Sequence, residues 1–239
     1  MATATPNAIS FVPLEANPEL LTAMLHHLGM QKSLAVHDVW SLTDDEMLNF
    51  VPRPALALLL VFPVSATYEQ HRQAEDANKD LYNESGDDQV LWFPQTIRNS
   101  CGLMGLLHAV SNGPARSLIN PDSILDNILK QAIPLQARER ASILETSKDL
   151  AVIHARAADK GATAAPEASE DVDLHYVCFV KGNDGTLWEL DGRRKGPLER
   201  GHLSSDEDVL SRAALENGPL KFLQAESKDL RFSCVILAE

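Results

Sequence analysis

Apolar residues recur along the chain with two different periods, and each predicts a different element. In ANPELLTAMLHHLGM, Leu21, Met24, Leu25 and Leu28 lie three or four residues apart, on one face of a helix. Asn17 suits its N-cap, Pro18 its first turn and Gly29 its end. The run ALALLLVFP, residues 55–63, is apolar almost throughout and ends at Pro63, as a strand buried on both faces does. Leu103, Leu106, Leu107 and Val110 bring the helical period back, with Asn99 or Ser100 as cap and Gly113-Pro114 as stop. SILDNILKQA and LQARERASILETSKDLAVIHA read as two helices separated by Pro134. VDLHYVCFV, TLWELDG and RFSCVILA read as strands. By contrast, YEQHRQAEDANKDLYNESGDD has no apolar stripe, so a solvated helix or loop is expected there. Helices dominate the first part and strands gather later, with no clean linker between them. That predicts one α/β (α+β) domain spanning 1–239.

One segment carries neither period. HARAADKGATAAPEASEDVD, residues 154–173, is rich in Ala, Gly, Glu and Asp. A long irregular stretch inside a compact domain is either a functional lid or a surface insertion, and position alone does not choose.

Composition narrows the class. The chain has 239 residues, 44% of them hydrophobic, and no apolar run reaches the roughly 18 residues that a membrane span needs. MATATPNAIS lacks the basic and apolar regions of a secretory signal. Three cysteines, Cys101, Cys178 and Cys234, are odd in number and far apart. They argue for a reducing compartment rather than a disulfide framework, hence a cytoplasmic or nuclear protein. No CxxC pair and no paired-His motif occurs, so no metal site is expected, and no cofactor is expected because no cofactor-cradling signature is present. The net charge of -13 disfavours nucleic acid as a partner. It serves either simple solubility or the attraction of a basic protein.

The candidate chemistry centres on Cys101. It falls in the first turn of the helix it begins, where free N–H groups and the helix dipole stabilise a thiolate. A buried structural thiol remains the alternative at this point. A cysteine nucleophile needs a base, and the base needs an orienting acceptor. His26, His27 and His71 lie on helical or polar segments, and His37 and His202 in connecting ones. His154 borders the irregular stretch. His108 sits seven residues into the cysteine's own helix, roughly 10 Å along its axis. His175 differs, because it interrupts the apolar strand VDLHYVCFV; it is either a hydrogen-bonded core residue or a base.

A partner for His175 lies in the next strand. With a three-residue loop at Asn183-Asp184-Gly185, Gly185 takes the left-handed position and Gly182 pairs with Thr186. In that register Val177 faces Asp191, and His175 lies diagonal to it on the same face. A two-residue loop would send the two to opposite faces. Asp191-Gly192 could equally be ordinary turn chemistry. Upstream, the Gln95 amide and the Cys101 backbone N–H could serve an oxyanion.

These residues carry a wider resemblance. FVPLEANPE, FVPRPALALLLVFP, FPQTIRNSCG, VDLHYVCFV and LWELDGR together resemble the ubiquitin C-terminal hydrolases, cysteine deubiquitinases, especially their small single-domain members. The resemblance runs from about Phe11 to the last strand. It implies a papain-like cysteine protease fold, with an antiparallel central sheet flanked by helices and a knotted backbone. It implies Cys101 as nucleophile, His175 as general base, Asp191 as the residue orienting the imidazole and Gln95 as oxyanion donor. Residues 154–172 or so would be the crossover loop spanning the active site, with Ala157 and Gly161 among those meeting substrate, together with Leu14 and Glu15 near the N-terminus. The expected partner is ubiquitin, with NEDD8 as a second candidate, and the expected state a monomer. Two other functions stay open: a non-catalytic ubiquitin-binding module and a Cys-His-Asp acyltransferase. Cys178 and Cys234, in apolar strands, are expected to be inert.

Overall fold

The computed structural model describes residues 9–86, 89–161, 170, 172–225 and 231–239. The N-terminal part is built as α1 (Pro18–Leu28), β1 (Ala35–Asp38), α2 (Asp45–Leu48), β2 (Ala57–Pro63) and α3 (Ala66–Asp76). Next come α4 (Cys101–Ser111), a 3-10 turn (Pro114–Leu118), α5 (Ile124–Ala132), α6 (Ala137–Thr146) and α7 (Lys148–Ala158). The chain ends with β3 (Leu174–Lys181), β4 (Thr186–Leu190), β5 (Leu198–His202), α8 (Arg212–Asn217), α9 (Pro219–Ala225) and β6 (Ser233–Ala238). Among the described residues no helix is long and apolar enough to cross a membrane.

The strands form one antiparallel sheet in the order β1-β6-β2-β3-β4-β5. β2 lies at its centre and is buried at all seven positions, as its unbroken apolar run predicts. Alternate side chains feed two cores. Leu59, Val61, Tyr176, Cys178 and Leu237 pack with α1, α4, α5 and α7 on one face. Leu58, Leu60, Phe62, Val177, Phe179 and Ile236 pack with Tyr68, Leu215 and Phe222 on the other. α4 is buried at every position after Cys101 and so threads through the protein interior. Its first residue alone reaches a cleft.

Local chemistry explains most boundaries. The Asn17 side chain accepts from the Glu19 and Leu20 N–H groups, and Gly29 closes α1 in the left-handed region. The single helix expected over residues 135–155 is two. Ser147 takes an extended conformation and caps α7 by accepting from the Leu150 N–H, which ends α6 one residue earlier. His37 and His202 do not lie in connections but in β1 and β5, the strands at the two edges of the sheet. The irregular stretch starts later than expected, because α7 continues through Ala158. The centre of the expected crossover loop, residues 162–169 and 171, lies outside the described residues.

Candidate active site

The β3–β4 hairpin folds in the register its turn dictates. Gly185 has φ +88°, the Gly182 N–H donates to the Thr186 carbonyl at 2.8 Å, and Cys178 pairs with Leu190. Asp191 thus follows β4 at the end of the sheet where β3 begins and β2 finishes. His175 Nε2 and Asp191 Oδ1 stand 2.8 Å apart, and both residues are almost wholly buried. Because Nε2 is taken by the carboxylate, the other ring nitrogen serves the Cys101 thiol, which hydrogen-bonds the imidazole.

The helix start prepares the thiol. Ser100 holds the N-cap position, but its hydroxyl donates back to the Ile97 carbonyl at 2.8 Å and caps nothing. Asn99 before it takes the left-handed region, φ +58°, and its amide donates to the Glu170 carbonyl at 3.0 Å. Burial alone would raise the Cys101 pKa. The His175 hydrogen bond and charge, then the Tyr176 and Gly102 N–H groups, override it and hold the thiol below its ordinary range. Burial likewise opposes the imidazolium, yet the Asp191 charge and hydrogen bond lift His175 to about 9. Asp191 is held far below the usual carboxylate range; burial is overcome chiefly by His175, then by the Arg193 N–H and the Tyr68 hydroxyl.

Gln95 sits beside this line. Its backbone N–H donates to the Gly192 carbonyl at 2.8 Å, so the residue after Asp191 fixes it. Its side-chain Nε2 makes one long contact, 3.4 Å, to the Ile97 carbonyl. The approach is close: a Cβ on Gly192 would lie 2.9 Å from both Cβ and N of Gln95. Only glycine fits there without displacing the Gln95 segment. On the far side, α4 grips the same extended segment through side chains. His108 Nε2 accepts from the Phe93 N–H at 3.0 Å, and Asn112 pairs with both backbone groups of Leu91 at 2.7 and 2.9 Å. Burial pushes His108 down to about 4, which keeps it neutral and able to accept. The helix that carries the thiol therefore also sets the extended segment that carries Gln95.

A cleft of about 770 Å³ opens onto Cys101, His175 and Gln95, walled by Leu14, Glu15 and Gly161. Leu14 turns most of its side chain into the core, and its carbonyl accepts from the Tyr176 hydroxyl at 3.1 Å. Ala157 is placed differently from the expectation. It is a core residue of α7 and borders a separate groove of about 340 Å³ against α1. Cys178 is fully buried, and burial raises both its pKa and that of the half-buried Cys234. Among the described residues no cluster of His, Cys, Asp and Glu could hold a metal ion.

Several residues of the site were not visible as such in the sequence. Tyr68 donates to Asp191 Oδ2 at 2.9 Å, the Arg193 N–H to Oδ1 at 2.8 Å, and Trp92 Nε1 to the Asp191 carbonyl at 3.2 Å. Tyr68 belongs to the segment expected to be solvated. That segment does form a helix, α3, and it has a stripe at helical spacing written in polar residues: Tyr68, Glu69, Arg72, Glu75 and Asp76. Glu69 pairs with Arg193 at 2.7 Å, Glu75 with Arg194 and Arg200 at 2.7 and 2.8 Å, and Asp76 with Arg194 at 3.1 Å.

A thiol at a helix start, in line with an imidazole and a buried carboxylate at one end of the central strands, is the constellation of a cysteine hydrolase. The chain belongs to the family described as ubiquitin carboxyl-terminal hydrolase, family 1, which matches residues 11–217. It is 37% identical over 204 residues to ubiquitin carboxyl-terminal hydrolase 3 of Arabidopsis thaliana, covering 84% of each chain. It is also 37% identical over 195 residues to ubiquitin carboxyl-terminal hydrolase YUH1 of Saccharomyces cerevisiae, covering 80% of this chain and 78% of that one. Among solved structures, the fold matches the UCH37 catalytic domain of Trichinella spiralis, bound to ubiquitin vinyl methyl ester. The TM-score is 0.73 at 20% identity, over 100% of this chain and 98% of that one.

Proposed function

We propose that this protein hydrolyses the bond after the C-terminal glycine of ubiquitin, with Cys101 as nucleophile. The observation that carries the proposal is the hydrogen-bonded line Cys101, His175, Asp191 opening onto a cleft, in a chain of this family. The Cys101 thiolate attacks the glycine carbonyl carbon, and the negative charge passes to the carbonyl oxygen. The Gln95 amide and first-turn N–H groups donate to that oxygen. The tetrahedral adduct collapses, the bond to the leaving amine, alcohol or thiol breaks, and the proton on His175 goes to the leaving group. The thioester that remains is attacked by water, which gives a proton back to His175. The second adduct expels the Cys101 thiolate, ubiquitin leaves as its carboxylic acid, which loses the remaining proton to solvent, and the thiolate–imidazolium pair is restored. Asp191 stays ionised throughout and holds the ring in place.

Small or flexible adducts suit a cleft lined by Leu14, Glu15 and Gly161. NEDD8 is a second candidate substrate. The test is turnover of ubiquitin carrying a fluorogenic C-terminal amide, beside the same NEDD8 conjugate and the Cys101→Ala variant. Release from ubiquitin that vanishes in the variant is expected. Ubiquitin binding without release would instead favour a non-catalytic binding module.

A further inference from the structure

Asp191 can orient His175 only if its own carboxylate cannot turn, and the structure shows what stops it. Oδ1 is held twice, by His175 Nε2 and by the Arg193 N–H, both at 2.8 Å. Oδ2 is met by the hydroxyl of Tyr68, at 2.9 Å, inside the core. The Tyr68 ring is itself wedged. It stands edge-on to Phe62 with centroids 4.7 Å apart and tilts against Phe222 at 5.9 Å. Phe62 in turn stands edge-on to the His175 ring at 6.0 Å. Tyr68 occupies the first turn of α3, whose polar stripe is pinned along its length to the residues after Asp191 by the Glu69, Glu75 and Asp76 ion pairs. The hydroxyl is therefore delivered to the carboxylate by the first turn of the helix, which the Glu69–Arg193 pair holds beside the Asp191 turn.

We propose that Tyr68 is a positioning residue: its hydroxyl fixes the rotation of the Asp191 carboxylate and thereby the plane of the His175 ring. This rests on the thiol-hydrolase reading of Cys101, His175 and Asp191. It assigns a role to α3, whose composition otherwise suggests a solvated helix. Among the described residues, the charged and titratable groups shown to act on Asp191 are His175 from β3, Tyr68 and Arg72 from α3, Glu189 from β4 and His108 from α4. Among these, His175 and Tyr68 are the side chains that hydrogen-bond the carboxylate.

The test is Tyr68→Phe, which keeps the ring and removes the hydroxyl alone. Its kcat/KM for a fluorogenic ubiquitin amide should fall on the order of tenfold to a hundredfold, the worth of one hydrogen bond to a charged group. The alkaline limb of the pH profile, set by the imidazolium, should move to lower pH as the carboxylate loosens its hold. A merely structural role would lower the folded fraction and leave that limb in place. Glu75→Gln is the control, since it loosens α3 at its far end without touching Tyr68. It should lower the melting temperature with the limb unmoved. An unmoved or upward limb in Tyr68→Phe, or an equal downward shift in Glu75→Gln, would overturn the assignment. Wild-type protein that fails to turn over would overturn it together with the proposed function, whereas a wild-type bell with an unshifted Tyr68→Phe profile would overturn it alone.

Discussion

Gly192→Ala should slow catalysis by displacing Gln95, the neighbour against which the added Cβ would press. An added Cβ would lie 2.9 Å from Gln95 Cβ, 2.9 Å from Gln95 N and 3.2 Å from the Phe93 carbonyl oxygen. Ordinary contact begins at 3.4 Å, so the shortfall is 3.4 − 2.9 = 0.5 Å. The nearest atoms are backbone or β-carbon and cannot swing aside. The extended segment that carries Gln95 cannot retreat as a whole either, because His108 and Asn112 hold it at Phe93 and Leu91. Overpacking of this kind costs about 1–3 kcal/mol in unfolding free energy. The strain falls on the Gln95 N–H bond to Gly192 and on the position of the amide. A misplacement of about 1 Å can cost on the order of a hundredfold, so half of that should lower kcat about tenfold. KM should change little. Losing the donor outright in Gln95→Ala should cost about 10²–10³ in kcat. The double variant decides the route. If Gly192→Ala acts through Gln95, then Gly192→Ala/Gln95→Ala is no slower than Gln95→Ala. A kcat within twofold of wild type in the glycine variant, or losses that multiply in the double variant, would refute the reasoning.

Two further outcomes follow from the charges. Asp191→Asn should drop the alkaline limb from about 9 toward the ordinary imidazole value of 6.5, an interaction worth roughly 3 kcal/mol and therefore on the order of a hundredfold in kcat/KM. The His175 part of the pair's stability is complete below 6.5 and is lost as pH rises through about 9. The Asp191 part is present above 3.8 and is lost as pH falls through its depressed value, so the wild-type stability margin over Asp191→Asn should peak between those two reference values; a margin that grows toward pH 9 contradicts the pairing. Limiting iodoacetamide near pH 6 should modify Cys101 alone, and peptide mapping that finds Cys178 or Cys234 alkylated at a similar rate contradicts the reading of those thiols as inert.

How much of this was legible depended on whether the cause was local. The hairpin register was, because three turn residues set it and Gly185 takes the left-handed conformation they call for. From that register the approach of His175 to Asp191 follows by counting. β2 was legible because strands on both sides and helices on both faces leave it no polar position. α3 was not. Helical periodicity is normally sought in apolar residues, and here the inward stripe is a buried phenol and carboxylates, Glu69 and Glu75 among them only half-buried, whose partners lie more than 100 residues away. β1 and β5 were missed as short, half-exposed edge strands that lack an apolar run. The grip of His108 and Asn112 on the Phe93 and Leu91 backbone leaves no mark in spacing, since it depends on how α4 docks. Ala157 was assigned to a loop because its neighbours are small and weakly patterned, yet small residues are what a close α1–α7 contact needs.

The account turns on Cys101 being the atom that takes the ubiquitin acyl group. Incubating the protein with ubiquitin carrying a C-terminal vinyl methyl ester, and weighing the product intact, tests this directly. One covalent adduct, mapped to Cys101 and absent from Cys101→Ser, is the predicted result. No adduct on the folded wild type, or an adduct that survives Cys101→Ser, would contradict it.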